Sequence, residues 1–275
     1  RHSMNTELLP GILTTISNYC MNQINVARFD YCGGIKLVIK TQKLFKTNSK
    51  IQWLICSCIW NICRVPTSRN KFKNDLLPLI KNIKLYSNDL RVLNTTFGSL
   101  SNISLLNENR VKLLQLHICK NLNLFFKSML KDYKVTDKKD KVKVNEKYVP
   151  CLISAMGLIA NLAIDNSDKF IKNKLVYLMI KCIKLIDISM LIEKEPIIRN
   201  FSTSLNNLAD RGEDYKKQIN EAGGHELIYD LYMFYMNSDN ENDSENDSDS
   251  DNQDQTGMHY IIKMIQPYYY YANTP

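Results

Sequence analysis

The sequence predicts an all-α solenoid, a row of short helical repeats stacked side by side. Three observations carry that prediction. A short phrase ending in Asn returns five times at nearly constant spacing, the mark of a repeat array. Gly and Pro number only 9 and 7 in 275 residues, too few for the many turns of a β-sandwich. Hydrophobic residues make up 44% and charged residues 23%, enough to bury a continuous core.

The recurring phrase is a small or polar residue, three residues, an Asn, then usually an apolar and a small residue. It runs from Thr14 to Asn18, Ser57 to Asn61, Gly98 to Asn102, Gly157 to Asn161 and Thr203 to Asn207. The intervals between the Asn residues are 43, 41, 59 and 46. The long interval contains residues 131–147, a highly charged stretch with seven Lys that reads as an inserted loop. Without it the interval returns to about 42.

After each Asn come a polar connection and an apolar-periodic helix. Twice that helix opens on a small residue and two glycines, Cys32-Gly33-Gly34 and Ala222-Gly223-Gly224. Paired Gly gives a tight turn between closely packed helices. The unit is therefore a short helix, a turn, a second helix and a third helix carrying the Asn. The count is a truncated first unit, four complete ones and a last that starts at Ala222. Residues 1–4 read as a cloning remnant, with the native N-terminus and any lipidation signal outside this chain. Residues 5–275 read as a single domain with charged inserts at 131–147 and 237–256.

Charge is uneven. The net charge is +8, yet the stretch from Asp239 to Asp254 holds eight acids and no base, which leaves +16 on the rest. A basic body suits acidic partners: a membrane surface, an acidic peptide or nucleic acid. The eight cysteines sit mostly in apolar runs, where thiols behave as small hydrophobes. With no visible signal peptide, they point to a reducing, cytoplasmic setting. No apolar run approaches the roughly 18–20 residues of a membrane span.

The phrase from Asn207 through Leu208, Ala209 and Asp210 to Ala222-Gly223-Gly224 resembles the armadillo repeat, as does Ser99-Leu-Ser-Asn-Ile-Ser104. The resemblance covers residues 8 to 235. It implies a right-handed superhelical solenoid of about six armadillo-type repeats, with third helices lining a concave groove. It also implies that Asn18, Asn61, Asn102, Asn161 and Asn207 form a ladder on the backbone of an extended peptide. An Asn amide, with one acceptor and two donors, suits a peptide group. The same amide could instead tie one helix to the next.

The family's nuclear-import adapters pair each ladder Asn with a Trp four residues earlier. Here those positions are Thr14, Ser57, Gly98, Gly157 and Thr203, so the groove is expected to be deeper and less aromatic. Other positions on the face hold Trp53, Arg64, Arg91, Asn94 and Arg199, and the arginines could pair with carboxylates. The expected function is a non-enzymatic scaffold that holds a peptide or helix of a protein partner, for which the basic body suits acidic character, on the cytoplasmic side. A chain of about six repeats with no extra domain is similar to the armadillo-repeats-only family of apicomplexan parasites. That family tethers a secretory organelle, the rhoptry, through an acylated N-terminus and motor and cyclase partners. The alternative is a nuclear-transport or nucleic-acid adaptor, disfavoured by the missing Trp ladder and by the lack of a basic stripe interleaved with aromatics.

Phosphate-binding Gly loops, zinc-protease helices and nucleophile elbows are absent from the sequence, and no catalytic residue, cofactor or small-molecule substrate is assigned. Cys56, Cys58 and Cys63 suggest a metal site by proximity, but Cys58 lies off the face shared by the other two, and packing is the expected role. His117 reads as a packed residue of an apolar helix, His225 as a helix start, and His259 as part of a late amphipathic stretch. Ser residues flanked by acids after residue 237 suit acidophilic kinases. The run Tyr268 to Tyr271 has no physical account.

Overall fold

A computed structural model describes residues 6–136, 141–165, 168–193 and 195–242. It is about 80% helical, with no strand among the described residues. Most of the acidic tract, His259 and the Tyr268–Tyr271 run lie outside those residues, as do residues 1–5.

The first unit is a single helix, α1 (Leu9–Tyr19). The second unit has three: α2 (Gln23–Tyr31), α3 (Gly34–Leu44) and α4 (Ser49–Ile62). The third begins with a 3₁₀ segment, Pro66–Phe72, and continues with α5 (Leu76–Leu85) and α6 (Leu90–Ser104). The fourth is α7 (Asn107–Gln115), α8 (Ile118–Val135) and α9 (Lys141–Leu162). The fifth is α10 (Lys169–Lys172), α11 (Leu175–Ile183), an unforeseen short helix α12 (Ile188–Glu193) and α13 (Glu195–Ala209). The last is α14 (Glu213–Glu221) and α15 (Gly224–Asn242). It starts at α14, before the expected Ala222, because the polar stretch 213–221 is itself a helix that buries Tyr215 and Ile219.

Third helices stack on third helices, in the order α1, α4, α6, α9, α13. Each inner one is covered on two sides, so even Thr95, Thr96, Ser99 and Ser104 of α6 are buried along with its apolar residues. In α4 the residues Ile55, Cys56, Cys58, Ile59 and Ile62 are all fully buried. Each such large aliphatic side chain contributes about 1.5–3 kcal/mol when removed from water. The helices start where caps allow. Asn48 accepts from the Ile51 amide at 3.1 Å, and Asp89 from the Arg91 and Val92 amides at 3.2 and 3.4 Å.

The turn before the second helix needs a left-handed residue. Gly33 and Gly223 supply it at φ 76°. In two other units His117 (φ 61°) and Lys174 (φ 52°) take the same conformation without the freedom of glycine. His117 is thus an exposed turn residue, not a packed helical one. The apolar run around it belongs to two helices, the end of α7 and the start of α8. The second Gly of each pair serves close approach. A Cβ at Gly34 would lie 2.3 Å from the Phe29 ring, and one at Gly224 would lie 2.7 Å from Ile219.

Residues 131–135 and 141–147, expected within an inserted loop, extend α8 and α9 instead. The stretch has no Gly or Pro, and its Lys, Glu and Asp content does not oppose helix. Tyr148 fastens the two extensions by donating to Asp132 Oδ2 at 2.7 Å, with its ring among Phe125 and its neighbours.

Candidate functional site

The third helices present one stripe to solvent, and the ladder runs along it. Each Asn after the first donates one amide hydrogen to the preceding third helix. Asn61 donates to Ser17 O, Asn102 to Trp60 O, Asn161 to Ser101 O and Asn207 to Ala160 O, each at 2.9 Å. The acceptor is always the residue immediately before the previous ladder Asn. Such uniformity follows from a constant stacking register. Two of them donate further: Asn61 Nδ2 also reaches Ser17 Oγ and Asn161 Nδ2 also reaches Ser104 Oγ, each at 3.1 Å, and all four side chains are half-buried. Asn18 is exposed and, among the described residues, donates no such bond.

A second rung lies three residues earlier. Cys58 Sγ donates to Leu13 O at 3.2 Å, Ser99 Oγ to Cys56 O at 2.7 Å, and Ser204 Oγ to Met156 O at 3.1 Å. These groups sit deeper and fix the helices against each other. The ladder amides, nearer the surface, retain hydrogen-bonding capacity for a ligand.

The expectation of a less aromatic groove fails at Gly98. The indole of Trp60 lies across it, so a Cβ there would meet the ring at 2.5 Å. Trp60 is adjacent to Asn61 in sequence, and that register position abuts the residue four before the next ladder Asn. The same contact recurs between Ser101 and Gly157, where a Cβ would approach Ser101 Oγ and Asn200 Nδ2 at 3.2 Å. The smallness of Gly98 and Gly157 thus accommodates the neighbouring unit.

Trp53 and Trp60 are two turns apart on α4, and both are half-buried at the stripe. Arg91, on α6, holds its guanidinium 5.7 Å from the Trp53 ring centre and 3.6 Å from Asp89. Asn94 accepts from Ser154 at 2.7 Å through its amide oxygen. An open cleft of about 590 Å³ separates α6 from α9, with Arg91, Asn94, Lys147 and Pro150 among its walls. Trp53, Arg91 and Asn94 are therefore brought together. Arg64 and Arg199 are exposed elsewhere on the stripe. Arg64 stands three residues past its ladder Asn and Arg91 eleven before its own, about 21 Å apart along the helix direction.

Beyond Trp60, the sequence reading missed Asn200, which donates to Ile153 O at 2.9 Å and so ties α13 to α9. It also missed the arginines that bond the open carbonyls at third-helix ends. Arg69 donates to Cys63 O at 3.0 Å, Arg110 to Ser104 O at 3.3 Å, and Arg211 to Ala163 O at 3.1 Å. Arg110 also pairs with Asp165 at 3.0 Å. Arg69 and Arg110 each fall eight residues after a ladder Asn, a spacing visible in the sequence.

No grouping of three or more metal-type side chains occurs among the described residues. Cys58 bonds a carbonyl, and Cys56 lies 3.5 Å from Thr96 and Asn82. Burial raises the pKa of both thiols, to about 11 for Cys56. Such thiols pack and do not ionise near neutral pH.

No family model matches the chain, and no curated protein matches it. Its fold does match solved structures. A designed armadillo repeat protein superposes with a TM-score of 0.65 at 16% identity, covering 95% of each chain. An engineered protein from the Northeast Structural Genomics Consortium gives a TM-score of 0.65 at 13% identity, covering 96% of this chain and 94% of that one. At such identities the likeness is one of fold: an all-α solenoid of armadillo-type repeats.

Proposed function

We propose that this solenoid is a non-enzymatic scaffold that holds an extended segment of a partner protein along its third-helix stripe. The ladder carries the reading. Four Asn side chains are held at one register through the amide nitrogen, which turns the amide oxygen toward a peptide N–H, and Asn102 and Asn207 keep a donor as well. Trp53 and Trp60 add apolar walls, and Arg91 with Lys147 favours carboxylates on the partner beside the cleft. Attachment of this scaffold to an organelle such as the rhoptry rests on repeat number and chain size alone, and is tested by locating the tagged chain in its source cell.

The groove is tested with Asn102→Ala combined with Asn161→Ala, against a peptide selected on the wild-type protein. Each substitution removes the capacity for about one or two peptide hydrogen bonds, worth about 0.5–1.5 kcal/mol net apiece, and leaves the peptide group facing it unpaired at further cost. Affinity should fall about 100-fold at 1.4 kcal/mol per decade. The same change removes two bonds between units, so the melting temperature should also fall by several degrees. An affinity unchanged at low temperature, where the variant is fully folded, would confine the ladder to holding the solenoid together and overturn the proposal.

A further inference from the structure

The second helices carry a different chemistry from the third. In α3, α5, α8 and α11 the same three register positions point outward, spaced as i, i+4 and i+7. In α3 they are Lys36, Lys40 and Lys43, and in α5 they are Leu77, Lys81 and Lys84. In α8 they are Lys120, Leu124 and Lys127, and in α11 and its cap Tyr177, Lys181 and Lys184. All are exposed except Lys181, which is half-buried against the Tyr177 ring, its ammonium 5.4 Å from the ring centre. None of these positions is acidic, and α3, α5 and α11 contain no Asp or Glu at all. The single acid of α8, Asp132, is bonded by Tyr148.

Among the described residues only Lys43 and Lys184 of this set reach a carboxylate, Asp75 at 2.6 Å and Glu226 at 2.7 Å. From α5 to α11 the face is continuous. Between α5 and α8 lies an apolar cleft of about 560 Å³ lined in part by Leu77, Leu85 and Leu116. Cys182 of α11 donates to Phe126 O of α8 at 3.5 Å. The pattern stops at α15, where the matching positions begin with Glu226 and Asp230. General Lys richness does not account for the lack of acids at these register positions, since the first helices of the same chain carry Asp30, Glu108, Glu213 and Asp214.

We propose that the second-helix face binds an anionic lipid bilayer. Lysines spread over four helices match a plane of phosphate and carboxylate headgroups. The leucines and Tyr177 between them are positioned to enter the interfacial layer. Lys in place of Arg, and Leu in place of stacking aromatics, fits lipid better than nucleic acid. No described helix is long and apolar enough to cross a membrane, so the contact is peripheral. It leaves the third-helix stripe open and does not depend on the groove reading.

The test is sedimentation of the whole chain with vesicles of phosphatidylcholine alone, or with 30% phosphatidylserine. Binding is expected only to the anionic vesicles, weakening steeply as salt rises. Lys81→Glu, Lys84→Glu and Lys127→Glu together should reduce that binding at least about tenfold. The equally charged control, Lys50→Glu, Arg64→Glu and Lys147→Glu on the groove side, should retain most of it. Leu77→Ser with Leu124→Ser should weaken binding without changing its salt dependence. If either Glu triple loses helical circular dichroism, the corresponding Gln triple replaces it. Equal loss in both triples, no preference for anionic vesicles, or tighter binding to single-stranded RNA than to vesicles would each overturn the proposal.

Discussion

Among the described residues, Gln42 is the one whose buried side chain leaves both polar atoms unsatisfied. Its side chain is 1% exposed, yet neither amide atom has a hydrogen-bond partner. Neighbouring Gln52 is placed well: it donates to the Gln42 and Phe45 carbonyls and accepts from Asn82. A buried amide without partners costs about 1–3 kcal/mol relative to a paired one. Gln42→Met keeps the length of the side chain and removes both orphan atoms, so it should raise stability by about 1 kcal/mol. For a chain of this size that is a rise of about 2–4 °C in melting temperature, read by calorimetry. A drop would mean that the amide makes a bond worth keeping. Residue-scale chemistry was only partly legible in the sequence. The ladder Asn residues were visible because a polar side chain recurring in an apolar helix must have a reason. The contact of Trp60 with Gly98 was not, because it joins residues 38 apart on different helices, and a small residue in sequence does not reveal what fills its space. His117 misled for a related cause: glycine announces a left-handed turn, and histidine does not.

Helices were read more reliably than the segments between them. Periodic apolar residues fixed the second and third helices of each complete unit, whereas charged stretch 131–147 gave no periodicity and passed for a loop. Its helix-permissive composition was the better guide. The groove elements lead to a prediction about import signals. A ladder Trp in every unit is missing, and the structure returns one indole, Trp60, to the neighbourhood of Gly98. Each aromatic contact with a Lys side chain is worth about 0.5–2 kcal/mol, so one wall in place of a series leaves recognition weak. A Lys-rich nuclear-localisation peptide should bind no tighter than about 100 μM by fluorescence polarisation. A submicromolar constant would contradict this account and favour the nuclear-transport alternative.

At the scale of the whole molecule, the ladder bonds each unit to the one before it, which makes the protein close to one-dimensional. The ladder gives this an added consequence. Its rungs, from Asn61 to Ser17 through Asn207 to Ala160, are arranged end to end along the axis. A pull between the two ends therefore loads these junctions in series, and each rung spans a single junction. Small sliding at each interface adds up along the array, so the chain should behave as a soft spring before any unit unravels. Held in optical tweezers, it should first lengthen reversibly and then yield in several steps at modest force. One abrupt, all-or-none rupture would show that the interfaces act together. An object that anchored cargo through such a protein would be held on a compliant tether.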